Sequence, residues 1–222
     1  MNITINCKGK FITDFHKLFR ENGLTLDVIQ LFRDIIYSYY KQYGRDFPFR
    51  KKITPYYVLI SEIMLQQTQT TTVSKKFLNF IKIFSDFESL AKAPLKELLK
   101  AWQGLGYNRR ALALKKIAQT IVHKYNGKLP DKIGILEGFP QIGKATASSI
   151  VTFAFNKPEI FIETNIRRVY IYFFFPQRNN IADKEILPIV EKTIDLSSPR
   201  KWYYALMDYG VMLKKYYPEL NK

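Results

Sequence analysis

The chain has 222 residues, 47% of them hydrophobic and 24% charged, which is enough to bury a core in one large or two small domains and argues against disorder. Its formal net charge of +16 suits a polyanionic partner, with nucleic acid as the first candidate, an anionic membrane surface as the second and the ribosome as the third. The single cysteine, Cys7, excludes a disulfide framework or a cysteine-ligated cluster within the chain, and the longest apolar stretch, 169–176, is far too short to span a bilayer.

The hydrophobic pattern predicts helices along almost the whole chain. Residues 26–43 carry apolar side chains at helical spacing. Thr54 and Pro55 then supply an N-cap and a first-turn proline for a second helix. Further helices are predicted at 72–84, from 94 onward, and at 109–125, 165–174, 183–194 and 199–214. Residues 1–24 show no firm pattern.

Residues 136–155, LEGFPQIGKATASSIVTFAF, predict a short helix, a Pro-x-x-Gly turn and a second helix. Pro140 and Gly143 would make the tight connection, and Gly143 would let another backbone or a phosphate approach closely. The second helix begins with Lys144 and a run of small residues that includes Thr146, and its first amide groups are free to face an anion. From the local pattern alone, an ordinary helical hairpin is the alternative.

The chain contains, in this order, the segments TPYYVLISEIMLQQTQT, AWQGLGYNRRALALKKIAQ, FPQIGKATASSIVTFAF, FIETNIRRV and ALMDYGVML. Together they resemble the adenine DNA glycosylases of the MutY type, within the endonuclease III-like helix-hairpin-helix superfamily, over roughly residues 26–214. The resemblance implies an all-α, two-lobed fold. Residues 53–159 would form a six-helix lobe that holds the hairpin, and residues 25–52 and 160–222 would form the other. Residues 1–24 would be an N-terminal extension, and DNA with its extrahelical base would lie in the cleft between the lobes.

Glu62 lies in an otherwise apolar predicted helix, VLISEIML. The pattern alone leaves two alternatives, a carboxylate solvated at the edge of an apolar stripe or one held in a cleft. The resemblance matches Glu62 to the catalytic acid of the family. Adenine is a poor leaving group as an anion, so its ring nitrogen must be protonated as the glycosidic bond breaks, and the same carboxylate can then position the attacking water.

Glu163 stands where the family has an aspartate that stabilises the oxocarbenium-like sugar, and Asn165 matches an asparagine that helps to organise this site. The alternative for Glu163 is a helix N-terminal glutamate favoured by the helix dipole. Ala145 occupies the position at which bifunctional relatives have a lysine that forms a Schiff base, and at which adenine glycosylases often have a hydroxyl. The resemblance therefore implies a monofunctional enzyme.

Gln66, Gln67 and Tyr107 match residues that wedge into the duplex when a nucleotide is flipped out. Tyr107 could equally be a core aromatic residue. Arg109 is expected to contact DNA, although the basic face that it shares with neighbouring residues could equally be a solvated helix face. The other members of that face are Arg110, Lys115 and Lys116.

The sequence departs from the family at its C-terminal end. Lys214 takes the position of the first of four cysteine ligands to an iron–sulfur cluster, and the C-terminal domain that recognises 8-oxoguanine is absent from these residues. We expect no iron–sulfur cluster and no other cofactor, while the resemblance leaves open a monovalent cation at the hairpin.

The leading hypothesis is a glycosylase that removes adenine mispaired with 8-oxoguanine or G from double-stranded DNA. The alternatives are a thymine or uracil mismatch glycosylase of the same fold and a non-catalytic DNA-binding module. We expect a cytoplasmic, nucleoid-associated monomer without membrane contact. The N-terminal segment MNITINCKGK lacks the apolar core of a secretory signal.

Overall fold

The computed structural model describes residues 3–178 and 180–221, with side chains from residue 13 onward. Among the described residues the regular elements are all helices, which confirms the all-α fold class. The helices are α1 (Ile3–Asn22), α2 (Leu26–Tyr43), α3 (Pro48–Lys51), α4 (Pro55–Leu65), α5 (Thr70–Ile83), α6 (Phe87–Lys92), α7 (Leu95–Trp102), α8 (Arg109–Tyr125), α9 (Ile133–Glu137), α10 (Lys144–Phe155), α11 (Thr164–Phe174), α12 (Asp183–Thr193) and α13 (Pro199–Tyr216). No helix in this part of the chain combines the length and apolar character needed to cross a membrane.

The local signals in the sequence act as expected at several helix ends. Thr54 is the N-cap of α4, where its hydroxyl accepts a hydrogen bond from the backbone N–H of Tyr57 at 3.1 Å, and Pro55 occupies the first turn. Asn126 ends α8 in the left-handed conformation, with φ of 51°. The pattern missed α3 and α6, because helices this short carry too few turns to show a period.

The chain divides into two compact units. Unit 1 consists of Met1–Arg45 and Ile160–Lys222, and unit 2 consists of Asp46–Glu159. Residues 46–52 therefore belong to unit 2 and not, as the sequence analysis expected, to the unit built from both termini. The reason is packing, since Phe49 of α3 is buried and lies edge-on against Phe77 of α5 in unit 2.

The N-terminal segment is an integral part of unit 1 rather than a separate extension. It forms α1, whose Phe15 is fully buried and packs edge-on against Phe173 and Phe174 of α11 at 5.0 and 5.4 Å between ring centroids. Phe32 of α2 contacts the same two rings. Aromatic side chains from three distant segments of the sequence thus build one core.

Helices α11 and α13 pack closely in unit 1 because position 210 has no side chain. A Cβ atom at Gly210 would overlap the carbonyl oxygen of Asn165 and would lie 2.7 Å from the Cβ of that residue. On the same helix α13, buried Asp208 accepts hydrogen bonds from the backbone N–H and Nε of Arg45 at 2.7 and 2.8 Å. These contacts fix α13 against both α11 and the end of α2.

Unit 2 is built around α4. Its residues Leu59, Ile60, Ile63 and Met64 are fully buried, so the helix is apolar on almost every side. Helices α5, α8 and α10 contact it and supply the rest of the core. Glu62 carries the only carboxyl group on this helix, and it is only partly buried.

We predict that Gly210→Ala lowers the free energy of unfolding by about 3 kcal/mol, because the added methyl group forces α11 and α13 apart. Urea unfolding followed by circular dichroism measures the change. Gly134→Ala is the matched control, since a Cβ atom there meets nothing within 4 Å and alanine is the better helix former. Equal stability of the two variants would show that the close approach is dispensable.

Candidate active site

Glu62 is held at one carboxyl oxygen by a hydroxyl from another helix. The Oγ atom of Ser149, on α10, lies 2.6 Å from Oε2 of Glu62 and 2.9 Å from the carbonyl oxygen of Thr146. Ser149 is buried, with 6% of its surface exposed. The sequence pattern does not distinguish Ser149 from the other small residues of α10, since nothing in it shows which of them faces α4.

Glu163 is the N-cap of α11 and folds its side chain back onto the helix. Its Oε1 accepts hydrogen bonds from the backbone N–H groups of Asn165 and Ile166 at 2.9 and 3.0 Å, and its Oε2 accepts one from Nδ2 of Asn165 at 3.2 Å. The capping interaction that the sequence left as an alternative is therefore present. It does not exclude a catalytic role, because a carboxylate has about four acceptor positions and these bonds use three.

The amide of Asn165 is oriented by a buried arginine. Its Oδ1 accepts a hydrogen bond from Nη1 of Arg168 at 3.0 Å, and the same nitrogen donates to the carbonyl oxygen of Gly210 at 3.3 Å. Arg168 has only 4% of its surface exposed. Because Oδ1 faces a donor, Nδ2 must face the carboxylate of Glu163, and Asn165 therefore links that carboxylate to Arg168.

Different neighbours of Glu163 shift the pKa of its carboxyl group in opposite directions. Burial raises the pKa of its carboxyl group above the ordinary value, and this is the largest effect. The hydrogen bonds from Asn165 and Ile166 and the charge of Arg168 lower the pKa and offset part of that effect. Burial thus disfavours the charged form of Glu163, and the hydrogen bonds and the charge of Arg168 offset part of that cost. Carboxyl groups with pKa values shifted by their surroundings are common at functional sites.

Two residues expected to wedge into the duplex have unusual backbone conformations. Gln67 and Tyr107 have positive φ angles of 53° and 46°, a region that residues other than glycine rarely adopt and that costs about 1–3 kcal/mol. Both side chains are exposed, with Tyr107 54% accessible, so Tyr107 is not a core aromatic residue. Gln66 differs, because its Nε2 donates a hydrogen bond to the carbonyl oxygen of Gln141 at 2.9 Å.

A single buried arginine holds the two segments that carry these residues. The guanidinium of Arg110, on α8, donates hydrogen bonds to backbone carbonyl oxygens at the end of α4 and to others in the loop before α8. The acceptors at the end of α4 are Ile63, Met64 and Gln66, at 3.0, 2.9 and 2.5 Å. Those in the loop are Leu105 and Gly106, at 2.7 and 3.1 Å.

The basic face expected on α8 divides into structural and exposed residues. Arg110 is 3% exposed and serves the core, and Nζ of Lys115 donates to the carbonyl oxygens of Ala91 and Ala93 at 2.8 and 2.5 Å. Arg110 therefore fits neither alternative expected for this face, solvation or DNA contact, because it is buried against backbone carbonyl groups. Lys115 is partly buried, and its ammonium group is engaged by carbonyl groups of a neighbouring segment. Arg109 and Lys116 are exposed, and the guanidinium of Arg109 lies 5.5 Å from the centroid of the Tyr107 ring.

The helical hairpin has the predicted outline, with a different residue at its turn. Gln141, with φ of 64°, takes the left-handed conformation, between partly buried Pro140 and buried Ile142. Gly143 is the N-cap of α10 in an extended conformation, and a Cβ atom there would meet nothing within 4 Å. Packing within the protein therefore does not require glycine at 143, and the position is open to an approaching ligand.

The first turn of α10 presents few side-chain obstacles. Lys144 and Ala145 are exposed and Thr146 is partly buried. The first backbone N–H groups of a helix have no partner within the helix, and the helix dipole adds a partial positive charge there. An anion such as a phosphate can bind at this helix end, with Lys144 beside it.

The residues at the end of α13 do not fit an iron–sulfur cluster. Such a cluster needs about four thiolates, and the 222 residues contain one cysteine. Lys214 is exposed on the last turn of α13, and the described residues include no group of three or more His, Cys, Asp or Glu side chains that could hold a metal ion.

The family model described as "HhH-GPD superfamily base excision DNA repair protein" matches residues 60–194. An adenine DNA glycosylase of Buchnera aphidicola subsp. Baizongia pistaciae is 37% identical over 188 residues, which is 82% of this chain and 53% of that relative. The chain thus spans about half the length of the adenine DNA glycosylases that it matches first.

Two further relatives are covered more completely. A thymine/uracil-DNA glycosylase of Methanothermobacter thermautotrophicus is 28% identical over 187 residues, which is 83% of this chain and 85% of that protein. The solved structure of a thermostable thymine-DNA glycosylase superposes with a TM-score of 0.75 at 27% identity, covering 83% of this chain and 86% of the other.

We predict that Arg110→Met lowers the free energy of unfolding of unit 2 by about 3 kcal/mol, because several buried carbonyl groups lose their donor. Trp102 and Trp202 are both fully buried, one in each unit, so a Trp202→Phe background makes Trp102 a fluorescent reporter of unit 2. Arg109→Met in the same background is the control and should change stability by about 0.5 kcal/mol or less. Equal unfolding curves for the two variants would contradict the assignment.

Proposed function

The chain belongs to the HhH-GPD superfamily of base excision DNA repair proteins, and from that membership we propose that it is a monofunctional DNA N-glycosylase that removes adenine mispaired with 8-oxoguanine or G. The observation that carries the proposal is the carboxyl group of Glu62, the one carboxyl group on the apolar helix α4, fixed by Ser149. It lies within the matched region, and the relative at 37% identity bears the name adenine DNA glycosylase.

In the proposed reaction, protonated Glu62 donates its proton to a ring nitrogen of the adenine. The N-glycosidic bond breaks, and its electron pair leaves with the base, which departs neutral. The sugar is left with positive charge at C1′, which the carboxylate of Glu163 stabilises electrostatically. Water then adds to C1′, and its proton returns to Glu62, so the acid is regenerated.

The proposed enzyme releases the base without cutting the strand. Strand cleavage by a Schiff base needs an amine at the sugar carbon, and Ala145 offers none. Lys144 precedes it on α10 and therefore points about 100° away around the helix. We assign Lys144, Thr146 and the open backbone at Gly143 to binding a DNA phosphate.

Exposed Gln67 and Tyr107 are the residues that we propose enter the duplex when the base leaves the stack. Their strained backbone is held by the Arg110 hydrogen bonds, so the side chains are fixed before DNA binds. Gln66 could contact the base opposite the flipped nucleotide only after its Nε2 gives up the hydrogen bond to the carbonyl oxygen of Gln141. The positive net charge favours duplex binding that weakens as salt rises.

A thymine or uracil mismatch glycosylase is the second candidate. It is favoured by one observation, namely that two relatives covered over most of their length bear the names thymine/uracil-DNA glycosylase and thymine-DNA glycosylase. Both candidates use the same fold and differ in the base that the protein accepts. A duplex series that varies the target base and its partner separates them.

We predict that the protein releases adenine from duplexes that pair it with 8-oxoguanine or G, and that the strand breaks only after alkali treatment. End-labelled duplexes with adenine, thymine or uracil as the target are incubated with the protein and divided into treated and untreated halves. Borohydride is expected to trap no covalent adduct. Release of thymine or uracil alone would favour the second candidate, and equal cleavage in both halves would contradict the monofunctional assignment.

The same duplex assay with the Glu62→Gln variant tests whether Glu62 is the catalytic acid. The amide keeps the shape of the side chain and cannot donate a proton to the leaving base, so base release should fall at least about a hundredfold while duplex binding survives. Glu97→Gln makes the same charge change at an exposed position on α7 and should leave the rate unchanged. Activity of Glu62→Gln within tenfold of the unmodified protein would overturn its role.

For Glu163, we predict that the aspartate variant keeps or raises the rate of base release and that the alanine variant loses most of it. Glu163→Asn separates charge from capping, because asparagine is a good N-cap without a charge. It should retain the stability of α11 but not the activity. Full activity of the asparagine variant would show that Glu163 is a structural cap only.

A further inference from the structure

The hydroxyl of Ser149 lies between two acceptors within unit 2. One is Oε2 of Glu62 at 2.6 Å, and the other is the carbonyl oxygen of Thr146, one helical turn earlier, at 2.9 Å. The contact to Glu62 joins residues 87 positions apart in the sequence, so it depends on how α10 packs on α4. A distance of 2.6 Å is within the range of a hydrogen bond between a hydroxyl and an ionised carboxylate.

A serine hydroxyl has one proton to donate and two lone pairs with which to accept. When Glu62 is ionised, Ser149 can donate to Oε2. When Glu62 carries its proton on Oε1, the oxygen from which the proton can pass to the base, Oε2 is a carbonyl oxygen and still accepts from Ser149. When the proton is on Oε2, its O–H can donate to Oγ of Ser149, which then donates to the carbonyl oxygen of Thr146, a group that can only accept. Rotation of one hydroxyl therefore serves both protonation states, and no heavy atom has to move.

This property matters for a group that gives up a proton and takes it back. The terminal torsion of a glutamate side chain has a broad energy profile, so an unsupported carboxyl group turns freely. A hydrogen bond to Oε2 in both states keeps the plane of the carboxyl group constant through the reaction. Catalysis by proton transfer is sensitive to such orientation, since a displacement of about 1 Å can cost about a hundredfold in rate.

We propose that Ser149 is a positioning residue that holds the carboxyl group of Glu62 in one orientation before and after proton transfer. The proposal rests on the proposed function, in which Glu62 is the acid. Neighbouring Ser148 is also buried, but it lies about 100° around α10 from Ser149 and has no described contact with Glu62. It provides a matched comparison for the loss of a buried hydroxyl.

The test compares four variants in single-turnover base release and in duplex binding. Ser149→Ala removes the hydroxyl without adding bulk. Ser149→Thr and Ser149→Val have nearly the same shape and differ in the hydroxyl, so any cost of extra volume is common to both. Ser148→Ala is the control. Thermal unfolding of each variant is recorded at the same time.

The expected result is a roughly ten- to hundredfold slower single-turnover rate for Ser149→Ala and Ser149→Val, with duplex affinity within about threefold of the unmodified protein. Ser149→Thr should be at least tenfold faster than Ser149→Val, and Ser148→Ala should keep its full rate. Equal rates for the threonine and valine variants would overturn the proposal while leaving the glycosylase function in place.

A second readout separates failure of this proposal from failure of the proposed function. In protein labelled with ¹³C at glutamate carboxyl groups, the signal of Glu62 is identified by its loss in Glu62→Gln. Its chemical shift should differ between the valine and threonine variants. If the unmodified protein releases no base from any duplex, the proposed function fails, and this shift alone decides whether Ser149 holds Glu62. An unchanged shift would overturn the proposal.

Discussion

The geometry of unit 2 depends on one buried guanidinium. Burying a charge is costly unless it is hydrogen-bonded, and both Nη atoms of Arg110 donate to carbonyl oxygens of the backbone instead of to a carboxylate. Because those carbonyl groups belong to two segments that are distant in sequence, satisfying the arginine also fixes the end of α4 relative to the loop before α8. The exposed, strained residues Gln67 and Tyr107 lie on these two segments, so the cost of their conformation is offset by the same hydrogen bonds.

Unit 1 also contains a buried arginine, Arg168, that links two helices, with fewer hydrogen bonds than Arg110 makes. Buried Arg168 donates through Nη1 to the side chain of Asn165 and to the carbonyl oxygen of Gly210, where α13 approaches α11 closely. Asn165 in turn donates to Glu163. The orientation of this carboxylate therefore depends on hydrogen bonds that run from Asn165 through Arg168 to the contact between α11 and α13. A substitution at Gly210 is expected to change the orientation of the Glu163 carboxylate.

The candidate chemistry depends on how each carboxyl group is held. Glu163 is held by the first turn of α11, whose backbone N–H groups it caps. Glu62 receives its support from Ser149, which follows Ala145 by one helical turn and lies on the same side of α10. Position 145 of α10 offers no amine, and the polar group that α10 directs at Glu62 is the hydroxyl of Ser149, one turn later.

The sequence by itself determined the helical fold class, the helix ends at Thr54 and Asn126, and the residues that match the family, because capping, hydrophobic period and motif order are properties of neighbouring residues. It could not show that residues 1–24 pack within unit 1, or that Arg110 and Lys115 turn inward while Arg109 stays exposed, since a basic helical face has the same pattern in either case. Ser149 was equally hidden among the small residues of α10. Only tertiary packing decides which side chain of a helix meets a distant carboxyl group, because that choice depends on the rotation of α10 against α4 and not on any local preference.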